Sequence, residues 1–206
     1  TGLLLDVSRH FFPLSLLKRC ITAMSASKFD TLHLPIPDSQ SFPLLLEDTP
    51  REKLSSLAYQ GAFSGEKMYT LQDMRELVQF ATSYGVEIIP EIDMPAHTLS
   101  WGKAFSDIII NCSTIANRAE TPHNIYPLDP SNPRTYTIIH EVLQQVSSVF
   151  PTKYLHIGGD EVEERCWSES EHLTKWALHN NVSMHRITAY FEQKVVDIAY
   201  AYQYHC

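Results

Sequence analysis

Basic clusters are what this sequence most clearly lacks. Its 206 residues carry 16 lysines and arginines against 24 aspartates and glutamates, a formal net charge of −8, and no Lys/Arg run stands out. Nucleic acid and anionic membrane surfaces are therefore poor partners. Long apolar runs are missing too: charge or proline interrupts each of them, so no membrane span is expected. Cysteine is sparse. Cys20, Cys112, Cys166 and Cys206 form no CxxC pair and no His/Cys cluster, so neither a zinc site nor any other metal or cofactor is expected. Internal repeats and low-complexity tracts are absent.

What remains is the composition of one ordinary globular domain, 44% hydrophobic and 19% charged. The opening Thr1-Gly2-Leu3-Leu4-Leu5-Asp6 is neither an initiator methionine nor a signal peptide; it reads as a strand entered directly, with something preceding it. Short apolar runs then alternate with amphipathic stretches. The first strand is expected at residues 3–5. Pro13 opens a helix with Leu14, Leu17, Ile21 and Met24 at helical spacing. A second strand covers 31–36 and is ended by Pro35 and Pro37. Residues 43–66 read as a long polar connection without a period. Thr70 and Asp73 form a capping box ahead of the stripe Met74, Leu77, Val78 and Ala81, and Gly85 marks the helix end. A third strand follows at 86–92. Asn132-Pro133 opens a helix carrying Tyr136, Ile139, Leu143 and Val146. A fourth strand is expected at 154–157, and two further helical stretches follow, the second with Ile187, Phe191, Val195 and Ile198. Strands separated by helices would lie parallel, joined by right-handed crossovers. The pattern predicts an α/β fold, a partial (β/α)8 TIM barrel comprising about its first four units.

In parallel barrels functional groups gather at the carboxyl ends of strands. Asp6, Arg9 and His10 follow the first strand here, and His33 and Asp38 belong to the second. Glu91, Asp93 and His97 close the third, and Asp160 and Glu161 the fourth. The sharpest element is His156-Ile157-Gly158-Gly159-Asp160-Glu161. Its glycines permit a tight turn and close approach of a ligand. A carboxylic acid beside a carboxylate is the pairing that glycoside cleavage uses. On local grounds alone, acids decorating a helix N-terminus explain the same residues.

The motif, continued by Val162 and by Cys166-Trp167, resembles the catalytic segment of family 20 glycoside hydrolases, the β-N-acetylhexosaminidases. Gly2 to His10 resembles that family's first barrel strand. Lys28-Phe29-Asp30 through His33, with Asp38-Ser39-Gln40-Ser41-Phe42-Pro43, resembles the second, and Glu91-Ile92-Asp93-Met94-Pro95-Ala96-His97 with Thr98-Leu99-Ser100-Trp101-Gly102 the third, in its animal lysosomal form. The resemblance implies that residues 1–206 are the N-terminal half of a catalytic barrel. It implies substrate-assisted, retaining hydrolysis of terminal non-reducing β-linked N-acetylglucosamine or N-acetylgalactosamine, so the partners are N-acetylhexosamine-terminated glycans. Glu161 would be the general acid/base and Asp160 would orient the acetamido group, both touching substrate. His97 and Asp38 would form a relay behind Glu161. A disulfide between Cys112 and Cys166, and a lysosomal or secreted location, follow from the same resemblance. Two sequons, at Asn111 and Asn181, fit that location; Asn181 is the better acceptor, because Asn111 adjoins a bridged cysteine.

The departures are specific. Thr1 stands where the family has a sugar-binding arginine, His33-Leu34-Pro35 replaces His-Trp-His, Ala96 replaces a glycine, and the chain stops at Cys206, four strands short. Two functions follow: part of an active hydrolase, or a catalytically incompetent truncated remnant with at most weak sugar binding. A half barrel would also tend to self-associate, making a homo-oligomer a possible partner. Chitinases are disfavoured by the spacing of their acidic motif. Of the other polar candidates, Arg9 is expected to pair with a carboxylate, His10 to be structural, Asp93 to fix its turn or support the site, and His156 to be a satisfied interior histidine. Trp101 and Trp167 are expected in the core.

Overall fold

A computed structural model describes residues 1–112 and 126–206. Three parallel strands form its main sheet in the order β1 (Gly2–Leu4), β2 (Thr31–Pro35) and, next to β2, the strand Glu87–Glu91, numbered β5 because β3 (Leu44–Leu45) and β4 (Tyr69–Thr70) precede it as a separate parallel pair. The register sets Leu4 beside His33 and Pro35 beside Glu91. Residues 154–157, expected as a fourth strand, continue this row only as single bridges. His156 N donates to Pro90 O at 3.0 Å, Ile92 N to His156 O at 3.0 Å and Met94 N to Ile157 O at 3.1 Å. On its far side the segment pairs with His205, at Tyr154. It lies parallel in the expected place but is too sparsely bonded to count as a strand.

Helices cover one face of the sheet. They are α1 (Leu14–Ala26), α3 (Leu71–Ser83) and α5 (Pro133–Val149), with α2 (Ser55–Gly61) and α4 (Leu99–Ala104) between them in the chain. Their stripes of Leu17, Ile21, Met24, Met74, Leu77, Ile139 and Val146 bury Leu32, Leu34 and Ile88 in one core. Because side chains alternate along a strand, Thr31, His33 and Pro35 of β2 and Ile89 and Glu91 of β5 face the other, open side, where they are partly exposed. The helix starts follow from local chemistry. Thr70 Oγ1 accepts from Asp73 N at 3.0 Å while Asp73 Oδ2 accepts from Thr70 N at 2.8 Å. Asn132 accepts from Arg134 N at 2.9 Å ahead of a helix that begins on Pro133.

Residues 43–66 are not the featureless connection expected. Buried Leu44, Leu46, Leu54 and Leu57 fold the segment into β3 and α2. These apolar positions fall at no single period, which hides them. Gly61 lets α2 press on its neighbours, since a Cβ there would lie 2.9 Å from Phe42 Cβ and 3.2 Å from Ser100 O. Beyond residue 160 there are three α-helices rather than two: α6 (Glu164–Glu169), α7 (Glu171–His179) and α8 (Ile187–Ala201). No described helix is long and apolar enough to cross a membrane.

Cys112 and Cys166 are joined, with Cα atoms 5.3 Å apart across a sequence separation of 54. With Ile110, Trp167, Leu173 and Ile187 the bridge forms a second, smaller core beneath α6. Trp167 donates its indole N–H to Leu128 O at 3.2 Å. Closing a loop of this length restricts the unfolded chain by about 2–4 kcal/mol. Replacing both cysteines by serine should lower the unfolding free energy in urea by that amount. In denaturant, Cys20 and Cys206 alone should react with a thiol reagent before reduction; four reactive thiols would rule out the bridge.

Candidate active site

The carboxyl ends of the four parallel segments place their polar residues around one imidazole. After β1, Asp6 builds a turn: its Oδ1 accepts from Ser8 N and Arg9 N, each at 2.9 Å, and its Oδ2 from Arg9 Nη1 at 2.9 Å. Ser8 Oγ donates to Ser41 O at 2.7 Å, tying this turn to the loop after β2. In that loop Asp38 is 5% exposed. Its backbone is held by Ser41 O, which accepts from Asp38 N at 2.9 Å, and by Ser100 Oγ, which donates to Asp38 O at 2.6 Å.

After β5 the chain passes through Asp93 and a cis Met94–Pro95 bond to His97, which has φ 59° and is 4% exposed. His97 Nδ1 lies 3.3 Å from Asp38 Oδ1, and Nε2 lies 3.3 Å from Glu161 Oε2. Asp160 Oδ1 and Asp93 Oδ2 stand 3.8 Å from the same Nε2. Thus Asp38, His97, Asp160 and Glu161 are brought together from three separate loops. The two acids after the fourth segment reach solvent, with side chains 75% and 55% exposed for Asp160 and Glu161.

Asp93 is the element whose role the sequence left divided between turn and support. Its Oδ1 accepts from Gly159 N at 3.1 Å, so it clasps the loop carrying both acids. The fit explains the glycine pair. Gly158 has φ +66°, and a Cβ there would fall 1.7 Å from Asp93 Oδ1. A double glycine placed one residue before two acids was the available signal; the acceptor facing it was not. Burial pushes the Asp93 carboxyl up to about 7, opposed by His97 and the Gly159 hydrogen bond and reinforced by Asp160 and Glu91. For His97, burial disfavours the charged ring, but the Asp38 hydrogen bond and the fields of Asp93, Asp38 and Asp160 outweigh it and hold the imidazole above its usual 6.5.

The remaining candidates separate cleanly. Arg9 pairs with Asp6 and, through Nη2 at 2.8 Å, with Asp38 Oδ2. His10 is exposed and stacks on Phe12, with ring centroids 6.4 Å apart. Trp101 and Trp167 are fully buried. His156 is not the interior histidine expected: strand alternation turns it to the open face, 53% exposed, with Nδ1 3.3 Å from Glu91 Oε1. His33 pairs with the same carboxylate. Donors of His33, Glu91 and His156 lie within 4.8 Å of one another, the spacing of a small ligand set. Gly158 N already donates to His156 Nδ1 at 3.1 Å, and Glu91 is shared between both rings, so the group reads as a side-chain ladder rather than a metal centre. Asn111 and Asn181 are both exposed.

The family model for the catalytic domain of glycosyl hydrolase family 20 matches residues 1–205. The human protein named beta-hexosaminidase subunit beta is 33% identical over 199 residues, covering 96% of this chain and 34% of its own. Beta-hexosaminidase 3 of Arabidopsis thaliana is 35% identical over 205 residues, covering 98% of this chain and 35% of its own. The chain thus spans about a third of the length of these relatives. Among solved structures, the chitobiase of Flavobacterium johnsoniae superposes with a TM-score of 0.81 at 31% identity, over 98% of this chain and 30% of that one.

The two raised groups fix the sign of a pH effect. In the unfolded chain Asp93 ionises near 3.8, whereas folded it holds its proton to about 7, so its contribution is complete below 3.8 and lost as pH rises to about 7. His97 acts in the same direction: its contribution is complete below 6.5 and lost as pH rises through its higher folded value. Unfolding free energy should therefore fall between pH 4 and pH 7, by about 2–4 kcal/mol from Asp93. Asp93→Asn keeps an acceptor for Gly159 N but cannot ionise, and should flatten most of that slope in denaturation series run across this range. An unchanged slope would show that Asp93 is ionised in the folded protein throughout.

Proposed function

The chain belongs to glycosyl hydrolase family 20, and from that premise we propose that it supplies the acid/base part of a β-N-acetylhexosaminidase site. The substrate is a glycan ending in β-linked N-acetylglucosamine or N-acetylgalactosamine, cleaved with retention of configuration. One observation carries the reading. The Glu161 carboxyl stands in solvent at the mouth of the sheet, with Oε2 3.3 Å from a buried imidazole whose other nitrogen faces Asp38. A carboxyl backed in this way can give a proton and take one back without losing its orientation.

In the proposed reaction the substrate's own acetamido oxygen attacks the anomeric carbon, a route outside the two-carboxylate scheme. Glu161 donates its proton to the leaving glycosidic oxygen as that bond breaks. It then takes a proton from the water that opens the oxazolinium intermediate. Asp160, next in the chain, holds the acetamido N–H and opposes the positive charge that develops on the ring. Asp93 and the glycine pair fix both carboxyls relative to each other.

The sheet order and its single helix-covered face support a further part of the proposal, that residues 1–206 are the first four β/α units of a (β/α)8 barrel and that the open face bearing His33, Glu91 and His156 belongs to its interior. The Cys112–Cys166 bridge supports an oxidising compartment, lysosomal or secreted, with Asn181 and Asn111 as candidate glycan acceptors. A second reading, weak sugar binding without turnover, is favoured by the exposure of Asp160 and Glu161, because glycoside cleavage gains from exclusion of water. Self-association across the open face would supply that cover.

Substitutions separate the roles. Glu161→Gln should cut hydrolysis of a natural disaccharide by about 10²–10⁴-fold while leaving binding nearly intact. An aryl glycoside whose leaving group needs no proton should recover much of the first step. Asp160→Asn should slow both substrates alike, since the lost charge opposes the intermediate and not the leaving group. Equal losses for the two variants on both substrates would refute the assignment, and absence of turnover with measurable sugar binding in the unsubstituted chain would establish the second reading.

A further inference from the structure

Arg9 is a fixed cation in contact with this group of acids. Asp38 approaches His97 from the loop after β2, Asp93 from His97's own loop, and Asp160 and Glu161 from the loop after residues 154–157. From the loop after β1 comes Arg9. Its guanidinium spans two carboxylates, Nη1 on Asp6 Oδ2 at 2.9 Å and Nη2 on Asp38 Oδ2 at 2.8 Å. The arginine is itself fixed, because Asp6 also accepts from the backbone N–H groups of Ser8 and Arg9 and fully buried Ser8 ties the turn to Ser41 O. The two oxygens of Asp38 are thereby divided: Oδ2 faces Arg9 and Oδ1 faces His97.

We propose that Arg9 is a positioning residue of the acid/base relay: it fixes which Asp38 oxygen meets His97 and offsets part of that carboxylate's charge, so that His97 holds its proton less tightly. The proposal depends on the reading of Glu161 as the acid. Its physical basis is charge balance. Asp38 lies 3.3 Å from Nδ1 and Asp160 stands 3.8 Å from Nε2, so each negative charge left without an offset strengthens the ring's hold on its proton. Without Arg9 the full charge of Asp38 would act on the ring, and the proton would be retained on His97 rather than passed on. Arginine suits the task because it stays charged at any working pH and its two terminal nitrogens can hold two carboxylates at once. Lysine keeps the charge but offers a single nitrogen.

The test is the titration of the His97 ring, followed by NMR in the chain, in Arg9→Gln, in Arg9→Lys and in Asp38→Asn. Arg9→Gln should raise the His97 midpoint by about half a pH unit or more, and Arg9→Lys should raise it by less. Asp38→Asn should lower it. If Asp38→Asn lowers the midpoint while Arg9→Gln leaves it in place or lowers it, the relay stands and the role of Arg9 is overturned. Equal rises in the Gln and Lys variants would show loss of an anchor alone and overturn the charge offset. A midpoint insensitive to Asp38→Asn would instead refute the relay on which the proposal rests. Should Arg9→Gln not fold, Arg9→Lys decides: a wild-type midpoint there overturns the proposal.

Discussion

The contact on which the site depends is the two-sided grip on the His97 imidazole, Asp38 at Nδ1 and Glu161 at Nε2. It costs backbone energy to make. His97 and Glu161 both have positive φ, 59° and 55°, a conformation that non-glycine residues enter at about 1–2 kcal/mol each. Neither residue would stay there without being held. His97 is held by burial and by Asp38, and Glu161 by the glycine turn that Asp93 clasps at Gly159. Strain of this kind persists where surrounding contacts over-determine it, and it gathers at sites that need one geometry.

The fold supplies that over-determination through parallel register. Each segment of the sheet delivers one loop to the same edge, and the loops lock onto one another: Ser8 to Ser41, Ser100 to Asp38, Gly159 to Asp93. Behind them the helix-covered core fixes the spacing of the segments, and the Cys112–Cys166 bridge fastens α6, which follows directly on the acid pair, to the chain beyond β5. Charge is then distributed unevenly over a rigid frame. Asp93 is buried and kept near neutral, Asp38 is buried but paired, and Asp160 and Glu161 are left facing solvent.

Much of this was legible in the sequence, and the boundary has physical causes. Helices α1, α3 and α5 show because their apolar residues recur at helical spacing and their starts carry Pro13, the Thr70–Asp73 box and Asn132-Pro133. The four polar strand ends show because chemistry-bearing residues follow each apolar run, and Asp38, His97, Asp160 and Glu161 do meet. Residues 43–66 were opaque because Leu44, Leu54 and Leu57 are buried against other segments and not along one repeating face. His156, expected as an interior histidine, is 53% exposed, because strand alternation sets it on the open face and its burial depends on what covers that face. The pairing of Arg9 with a carboxylate was legible, Asp6 lying three residues away; its second hold on Asp38 and the Asp93 clasp were beyond reach, since both join residues far apart in the chain with no periodic trace.

The central claim, that one histidine connects a buried carboxylate to the acid that faces the substrate, has a direct observable in the tautomer of the ring. With Asp38 accepting at Nδ1, the neutral imidazole must carry its proton on Nδ1. Nitrogen-15 chemical shifts of His97, recorded above its titration midpoint, should therefore show a protonated Nδ1 and a bare Nε2. A neutral ring protonated at Nε2 would mean that Asp38 does not receive a proton from His97, and the relay would not exist in the form described.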